Sequence, residues 1–129
     1  MADDIIADAK EWLDFASEDL NVAEHLFATY HPLPLEIICF HCQQASEKAV
    51  KSIIVLNGSQ GGIPKKHDLF ILLNQIRNMV DIDVKYYDFA DILTPYSVVM
   101  RYPNELFLEE RHAKIAIDMA KEYVNWAKK

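Results

Sequence analysis

The chain has 129 residues, of which 51% are hydrophobic and 26% charged, and its formal net charge is −7. This length fits one domain with one hydrophobic core, and the composition excludes a disordered chain. The acidic balance argues against a broad nucleic-acid-binding face, which needs clustered Lys and Arg, and leaves only a small local basic pocket open.

Membrane and secretion signals are not evident in the sequence. No apolar run approaches the roughly 20 residues that span a bilayer. The N-terminal residues 1–12, MADDIIADAKEW, have acids where a signal peptide needs bases. We therefore expect a cytoplasmic protein without a membrane partner.

A first amphipathic helix is predicted from about Asp3 or Asp4 to Thr29, because its apolar residues alternate steps of three and four. Trp12 and Phe15 widen this stripe. Residues 31–34, HPLP, end the helix, since each proline disfavours helix at the residue before it. The stripe consists of Ile6, Ala9, Leu13, Ala16, Leu20, Ala23, Phe27 and Tyr30.

A second helix is predicted from Pro34 or Leu35 to about Leu56, with Asn57-Gly58 as its C-terminal signal. Residues 40–51, FHCQQASEKAVK, carry more polar groups than a core helix requires. The apolar stripe is Leu35, Ile38, Cys42, Ala45, Ala49, Ile53 and Leu56.

Three further helices follow a flexible, locally basic loop at residues 59–66. Asp68 is the predicted N-cap of the third, and the fourth begins near Asp83 and is interrupted at Pro95. The fifth runs from about Glu105 or Leu106 to Ala127. The expected inward residues are Leu69, Leu72, Leu73, Ile76 and Val80 in the third, Tyr87, Ala90 and Leu93 or Thr94 in the fourth, and Leu108, His112, Ile115, Met119, Tyr123 and Trp126 in the fifth.

The pattern predicts an all-α fold, because no period-two alternation is long enough for a strand. Short connections favour an up-and-down antiparallel helical bundle of four long helices plus a short one. Residues 1–129 would form a single domain.

Four polar residues of the second helix lie on neighbouring turns of one face: Gln44, Glu47, Lys48 and Lys51. Glu47 and Lys51 have the favourable i, i+4 order. Either this face is solvated and carries weak ion pairs, or it contacts a partner or ligand. The glutamines favour contact, because amides cost less to desolvate than charges.

Cys39 and Cys42 form a C-x-x-C pattern that would share one helix face. A metal or redox role is geometrically possible, but a zinc site would need two more ligands. Cys42 falls on the apolar stripe, so we expect both cysteines to serve core packing, and we predict no metal and no cofactor.

A second polar group comprises Arg101, Tyr102 and Asn104, around a proline between two predicted helices. Arg101 either caps helix carbonyls or binds a phosphate or carboxylate, and the residues alone do not separate these roles. His67, next to two lysines and a helix N-terminus, either binds an anion or helps to cap the helix.

The chain resembles the small stand-alone HEPN domains, a helical family whose name refers to nucleotide binding in higher eukaryotes and prokaryotes. Four pieces carry the resemblance, in the family's order and over nearly the whole chain. They are Trp12-Leu13-x-x-Ala16-x-x-Asp19-Leu20-x-x-Ala23-Glu24, Phe40-His41-x-Gln43-Gln44-Ala45-x-Glu47-Lys48-Ala49-x-Lys51, Lys66-His67-Asp68-Leu69 and Arg101-Tyr102-Pro103-Asn104.

The resemblance implies a homodimer and a nucleotidyltransferase-fold partner protein, often in a toxin–antitoxin pair. Other members are metal-independent ribonucleases with an arginine, four to six residues, then a histidine. This motif is absent here: the required positions are Leu106–Leu108 after Arg101 and Ile82–Val84 after Arg77. The chain instead resembles the Arg-Tyr-Pro subgroup.

Three functions are therefore to be tested. The first is a non-catalytic HEPN partner module that binds a nucleotide, a nucleotidyltransferase-fold partner, or both. The second is a ribonuclease-type toxin with a degenerate motif that acts on RNA, and the third is a purely structural interaction domain. The predicted binding residues are Gln44, Glu47, Lys48, Lys51, His67, Arg101, Tyr102 and Asn104.

Overall fold

Five α-helices make up most of the computed structural model, which describes residues 2–58, 68–97 and 108–129. They are α1 (Ala2–Thr29), α2 (Leu35–Leu56), α3 (Leu69–Ile76), α4 (Val84–Leu93) and α5 (Glu110–Ala127), with a 3-10 turn at Thr94–Ser97. These ranges contain no strand, and the predicted all-α helical bundle is confirmed. Three helices are long and two are short, whereas the sequence predicted four long helices and one short one. No helix in these ranges has both the length and the apolar character needed to cross a bilayer.

Helix α2 is the centre of the bundle and packs against α1, α5, α3 and the 3-10 turn. It runs antiparallel to α1, as two contacts show. The hydroxyl of Ser52 donates to the carbonyl of Ala9 at 2.8 Å, and Lys48 reaches Asp19, further along α1. Side chains of α2 are consequently buried on several faces, and polar ones among them need partners within the protein.

The core stripe of α1 is confirmed in its middle, where Ala9, Ala16, Leu20 and Ala23 are buried. Its ends differ from the prediction. Ile6 and Tyr30 are both 57% exposed, and Leu56, at the end of the α2 stripe, is 50% exposed. Because Ala9 already lies beside Ser52, Ile6 lies near the C-terminal end of α2.

Four of the predicted helix ends are confirmed. Asp68 caps α3 by accepting from the backbone N–H of Phe70, and Asp83 caps α4 by accepting from that of Lys85. Gly58 has a φ of 61°, the left-handed conformation expected after a helix. Helix α4 ends at Leu93, because Pro95 lacks an N–H and its ring obstructs a continuing helix.

Three predicted inward positions are corrected. Tyr86, not Tyr87, is the buried tyrosine of α4. Val80 lies beyond the end of α3 at Ile76 and is only partly buried. Ile115 of α5 is 44% exposed, because the packed face of this helix is centred on its small residues, Ala113, Ala116 and Ala120.

The start of α5 is also later than predicted. Helix α5 begins at Glu110, and Leu108 is not helical, so the expected start at Glu105 or Leu106 is wrong. Glu109 is the N-cap, and its backbone N–H donates to Nδ1 of His112 at 2.9 Å. This bond satisfies one of the N–H groups that a helix start leaves open, so His112 serves the helix end.

Candidate binding site between helices α1 and α2

The predicted binding residues divide into two groups. Gln44, Glu47, Lys48 and Lys51 lie on α2, along its contact with α1. The other four, His67, Arg101, Tyr102 and Asn104, lie outside the described residues. The described part of the site therefore lies on α1 and α2.

Glu47 and Lys51 form a buried ion pair, with 2.6 Å between Oε1 of the glutamate and the lysine Nζ. Their side chains are only 3% and 10% exposed. The interpretation of this face as fully solvated is therefore wrong for these two residues. The Lys51 ammonium also lies 5.3 Å from the centroid of the Trp12 ring of α1, at a distance suited to a cation–π contact.

Two amides also lie beside Glu47. Gln43, which is fully buried, donates from Nε2 to Oε2 of Glu47 at 3.2 Å. Gln44, which is half-buried, donates to Oε1 of Gln43 at 2.8 Å. The carboxylate thus receives an ammonium group on one oxygen and an amide on the other, which compensates for its lost hydration.

Lys48 points toward α1 and pairs with Asp19, with 2.6 Å between Nζ and Oδ2. Nδ1 of His41 lies 2.9 Å from the other oxygen of the same carboxylate. Asp19 is 14% exposed, whereas His41 and Lys48 are 26% and 27% exposed. A single aspartate therefore holds two partly exposed side chains of α2, two turns apart.

Asp19 and His41 were not among the predicted binding residues. Both occur in the sequence pieces that resemble the HEPN family, and this was the available signal. Asp19 and His41 are 22 positions apart, and their pairing is not evident from the sequence because it depends on how α1 packs on α2.

The C-x-x-C pattern belongs to the core, as predicted. Cys39 and Cys42 are free thiols and fully buried. Burial, with a smaller contribution from Glu36, raises the pKa of Cys39 to about 12. Burial, followed by Cys39 and Glu24, also raises the pKa of Cys42 well above its ordinary value. Both thiols therefore stay protonated at neutral pH and are poor nucleophiles and ligands.

Metal ligation finds no support in residues 2–58, 68–97 and 108–129. No group of three His, Cys, Asp or Glu side chains in these ranges is placed to hold a metal ion. Nδ1 of His41, the histidine within the C-x-x-C pattern, contacts Asp19.

The charges of the α1–α2 site nearly cancel, since two carboxylates face two ammonium groups. An anionic phosphate would gain little from this balanced set. The partly exposed Gln44 and Lys48, with His41, instead offer polar contacts to a base, a ribose or a protein surface. Phosphate binding would require additional positive charge.

Comparisons with known proteins agree with this helical architecture. The family model described as HEPN domain matches residues 9–129. The fold is similar to the crystal structure of TT1696 from Thermus thermophilus, with 24% identity, a TM-score of 0.77 and coverage of 93% of this chain and 95% of that one. It is also similar to ST0689, an archaeal HEPN homologue, with 24% identity, a TM-score of 0.66 and coverage of 93% and 94%. The comparison with curated proteins gave no match.

Proposed function

We propose that this chain, which belongs to the HEPN domain family, is a non-catalytic partner module. It binds a nucleotidyltransferase-fold protein, a nucleotide, or both, as one half of a toxin–antitoxin-like pair, and it acts as a homodimer. The supporting observation is the buried Glu47–Lys51 pair in the central helix.

This pair is poorly explained by stability alone. Replacing a buried ion pair by apolar residues of similar size is often neutral or stabilising, by about 1–4 kcal/mol. Helix α2 would therefore fold at least as well with an apolar core at these two positions. A function that requires the charged groups of Glu47 and Lys51 would explain why they are present.

That function is the positioning of the α2 surface. Glu47 orients the amide of Gln43, which in turn holds the amide of Gln44. Asp19 fixes Lys48 from the opposite helix. Gln44 and Lys48 are thereby held in one arrangement before a ligand arrives, and pre-organised groups lose less entropy on binding.

Because the charges of the α1–α2 site are balanced, we give different roles to the predicted residues on α2 and to those outside the described ranges. Gln44 and Lys48 would contact a base, a ribose or the partner's backbone. Arg101 and His67 would supply the positive charge for a phosphate, for which the guanidinium fork is suited. Tyr102 and Asn104 complete the proposed site.

Calorimetric titration with a nucleoside triphosphate tests the nucleotide part of this proposal. Gln44→Ala should weaken binding roughly fivefold, in line with the net value of one hydrogen bond. Arg101→Ala should weaken it more, with the helical circular-dichroism signal unchanged. Lys114→Met is the control, since Lys114 is 57% exposed on α5 and pairs with the equally exposed Asp118 at 3.0 Å. Full affinity in the Arg101 variant would reject this site.

The partner part is tested by co-expression with a nucleotidyltransferase-fold protein encoded beside this chain. Co-purification in a fixed ratio, lost in Lys48→Glu and kept in Lys114→Glu, supports the module. A lower melting temperature of Arg101→Ala with all binding unchanged would instead favour a purely structural interaction domain.

The ribonuclease-type toxin is the second candidate, and the Asp19–His41 contact favours it. A carboxylate that holds Nδ1 of a histidine leaves Nε2 for proton transfer, the usual arrangement of a histidine base. Expression in a bacterial host separates this candidate from the first. Growth arrest that is abolished by His41→Ala and by Arg101→Ala supports the toxin, and unchanged growth with intact RNA counts against it.

A further inference from the structure

An open groove of about 280 Å³ lies on the outer side of α1, next to the end of α2. In the part of the chain that the structure describes, α1 contributes Asp8, Glu11, Trp12 and Phe15 to the lining, and α2 contributes Val55. The α1 residues are spaced i, i+3, i+4 and i+7, so they share one face of the helix. This face differs from the core face that carries Ala9 and Ala16.

The two aromatic rings of the groove are supported from the α2 side. Trp12 has the ammonium group of Lys51 5.3 Å from its ring centroid, and Phe15 has that of Lys48 at 6.0 Å. Each lysine is already paired with a carboxylate, so its charge is largely neutralised. Phe15 is nevertheless 47% exposed.

The two acids of the groove have no hydrogen bond or ion pair to any residue in the described ranges, and both are exposed. The neighbouring Asp14, by contrast, is paired with Lys10 at 2.9 Å. Lys10 is the only lysine of α1, which contains no arginine. The groove therefore combines two aromatic rings with two uncompensated negative charges.

We propose that this groove binds the guanidinium group of an arginine carried by a basic segment of a protein partner. Ring faces attract cations, and arginine both stacks on aromatic rings and pairs its planar fork with carboxylates. A nucleotide is a poor occupant, because its phosphates would be repelled by Asp8 and Glu11. The charge complementarity thus points to a basic protein segment.

This surface goes beyond the proposed function. It uses neither Gln44 nor Arg101, so its failure leaves the nucleotide site untouched, and the reverse also holds. Helix α1 would present the groove to the basic protein segment, while α2 presents its polar face to the nucleotide or partner of the proposed function.

Nuclear magnetic resonance offers a direct test, because the chain has only two tryptophans. Trp12 lines the groove, whereas Trp126 stacks on Tyr86 with 4.4 Å between ring centroids, in the α4–α5 part of the bundle. The full chain is titrated with a helical Ala/Leu/Arg peptide whose arginines lie at i, i+4 and i+7. We expect the indole N–H signal of Trp12 to shift and saturate while that of Trp126 stays in place.

The variants test the two halves of the groove separately. Asp8→Asn with Glu11→Gln should weaken binding roughly tenfold, since each exposed ion pair contributes about a factor of 2–5. Phe15→Ala should weaken it about threefold. The control, Asp88→Asn with Asp91→Asn, makes the same change in net charge on exposed positions of α4 and should leave the affinity unchanged.

Several outcomes would overturn the proposal. Equal losses of affinity in the two double variants would show a general charge effect. Equal shifts of Trp12 and Trp126, or binding of a peptide with Gln in place of Arg, would show non-specific contact. A shift of Trp12 by spermidine as large as that by the peptide would replace the protein segment by a small polyamine.

Discussion

Lys51 and Glu47, one helical turn apart, form an ion pair of 2.6 Å that is almost entirely shielded from water. An exposed pair with the same spacing exists in α5, where Lys114 and Asp118 are 3.0 Å apart and more than half exposed. These two i, i+4 pairs have similar geometry and opposite burial. The degree of burial should therefore determine how much each pair affects the free energy of unfolding.

Removal of one member of the buried pair should be costly. Glu47→Ala leaves the Lys51 ammonium buried without its carboxylate, and we expect a loss of about 3–5 kcal/mol in the free energy of unfolding. Asp118→Ala, the exposed counterpart, should cost about 0.5 kcal/mol or less. Urea unfolding followed by circular dichroism measures both. Similar losses would contradict the shielding that the geometry implies.

Replacement of both members should separate stability from function. We expect Glu47→Met with Lys51→Leu to be close to the wild type in stability, because an apolar pair avoids the desolvation cost of two charges. Nucleotide or partner binding should nevertheless fall, since Gln43 and Gln44 lose the carboxylate that orients them. A double variant with full binding would remove the main support for the proposed site.

Asp19 and Lys48 should be energetically coupled across the two helices. Their contact is 2.6 Å long and only partly exposed, so we expect an interaction energy of about 1 kcal/mol in a double-mutant cycle of Asp19→Ala and Lys48→Met. Lys85 and Glu122, at 2.7 Å but 42% and 44% exposed, provide the comparison. A coupling no larger than that of the exposed pair would argue against a fixed Lys48.

The hydroxyl groups of Tyr123 and Tyr86 should contribute unequally to the free energy of unfolding. Tyr123, fully buried, donates to the backbone carbonyl of Tyr86 at 2.5 Å. Tyr123→Phe should therefore cost about 1–2 kcal/mol, because a buried carbonyl loses its partner. Tyr86 donates to the carbonyl of Glu122 at 3.3 Å in a partly exposed place, so Tyr86→Phe should cost less. Thermal unfolding of the two variants checks the order.

Alkaline pH should destabilise the fold through its buried thiols. The pKa of Cys39 rises from 9.0 to about 12 on folding, and that of Cys42 rises as well, so above pH 9 the unfolded chain releases protons that the folded chain retains. Stability is fully present below pH 9 and declines as the pH rises through the window up to about 12. Cys39→Ala with Cys42→Ala should flatten the start of this decline, between pH 9 and 10, in urea unfolding at each pH. An unchanged slope there would show that other groups cause it.

Much of the bundle could be predicted from local patterns in the chain. The apolar periodicity of residues 9–23, the prolines before α2 and the aspartate caps of α3 and α4 act over a few residues each. Such signals place helices without knowledge of the tertiary structure. The same reasoning erred at Ile6, Leu56 and Ile115, because a residue on a periodic stripe is buried only where a neighbouring helix covers it.

The sequence by itself determined the all-α class, most helix ends and the presence of a polar set on α2, since helix periodicity and capping are local properties. Only the tertiary structure decided which of those polar residues are buried. It buried Glu47, placed the Lys51 ammonium against the Trp12 ring and brought Asp19 to Lys48 across 29 positions of the chain. The physical reason is that burial and long-range ion pairs depend on the packing of α1 against α2, which no single helix encodes.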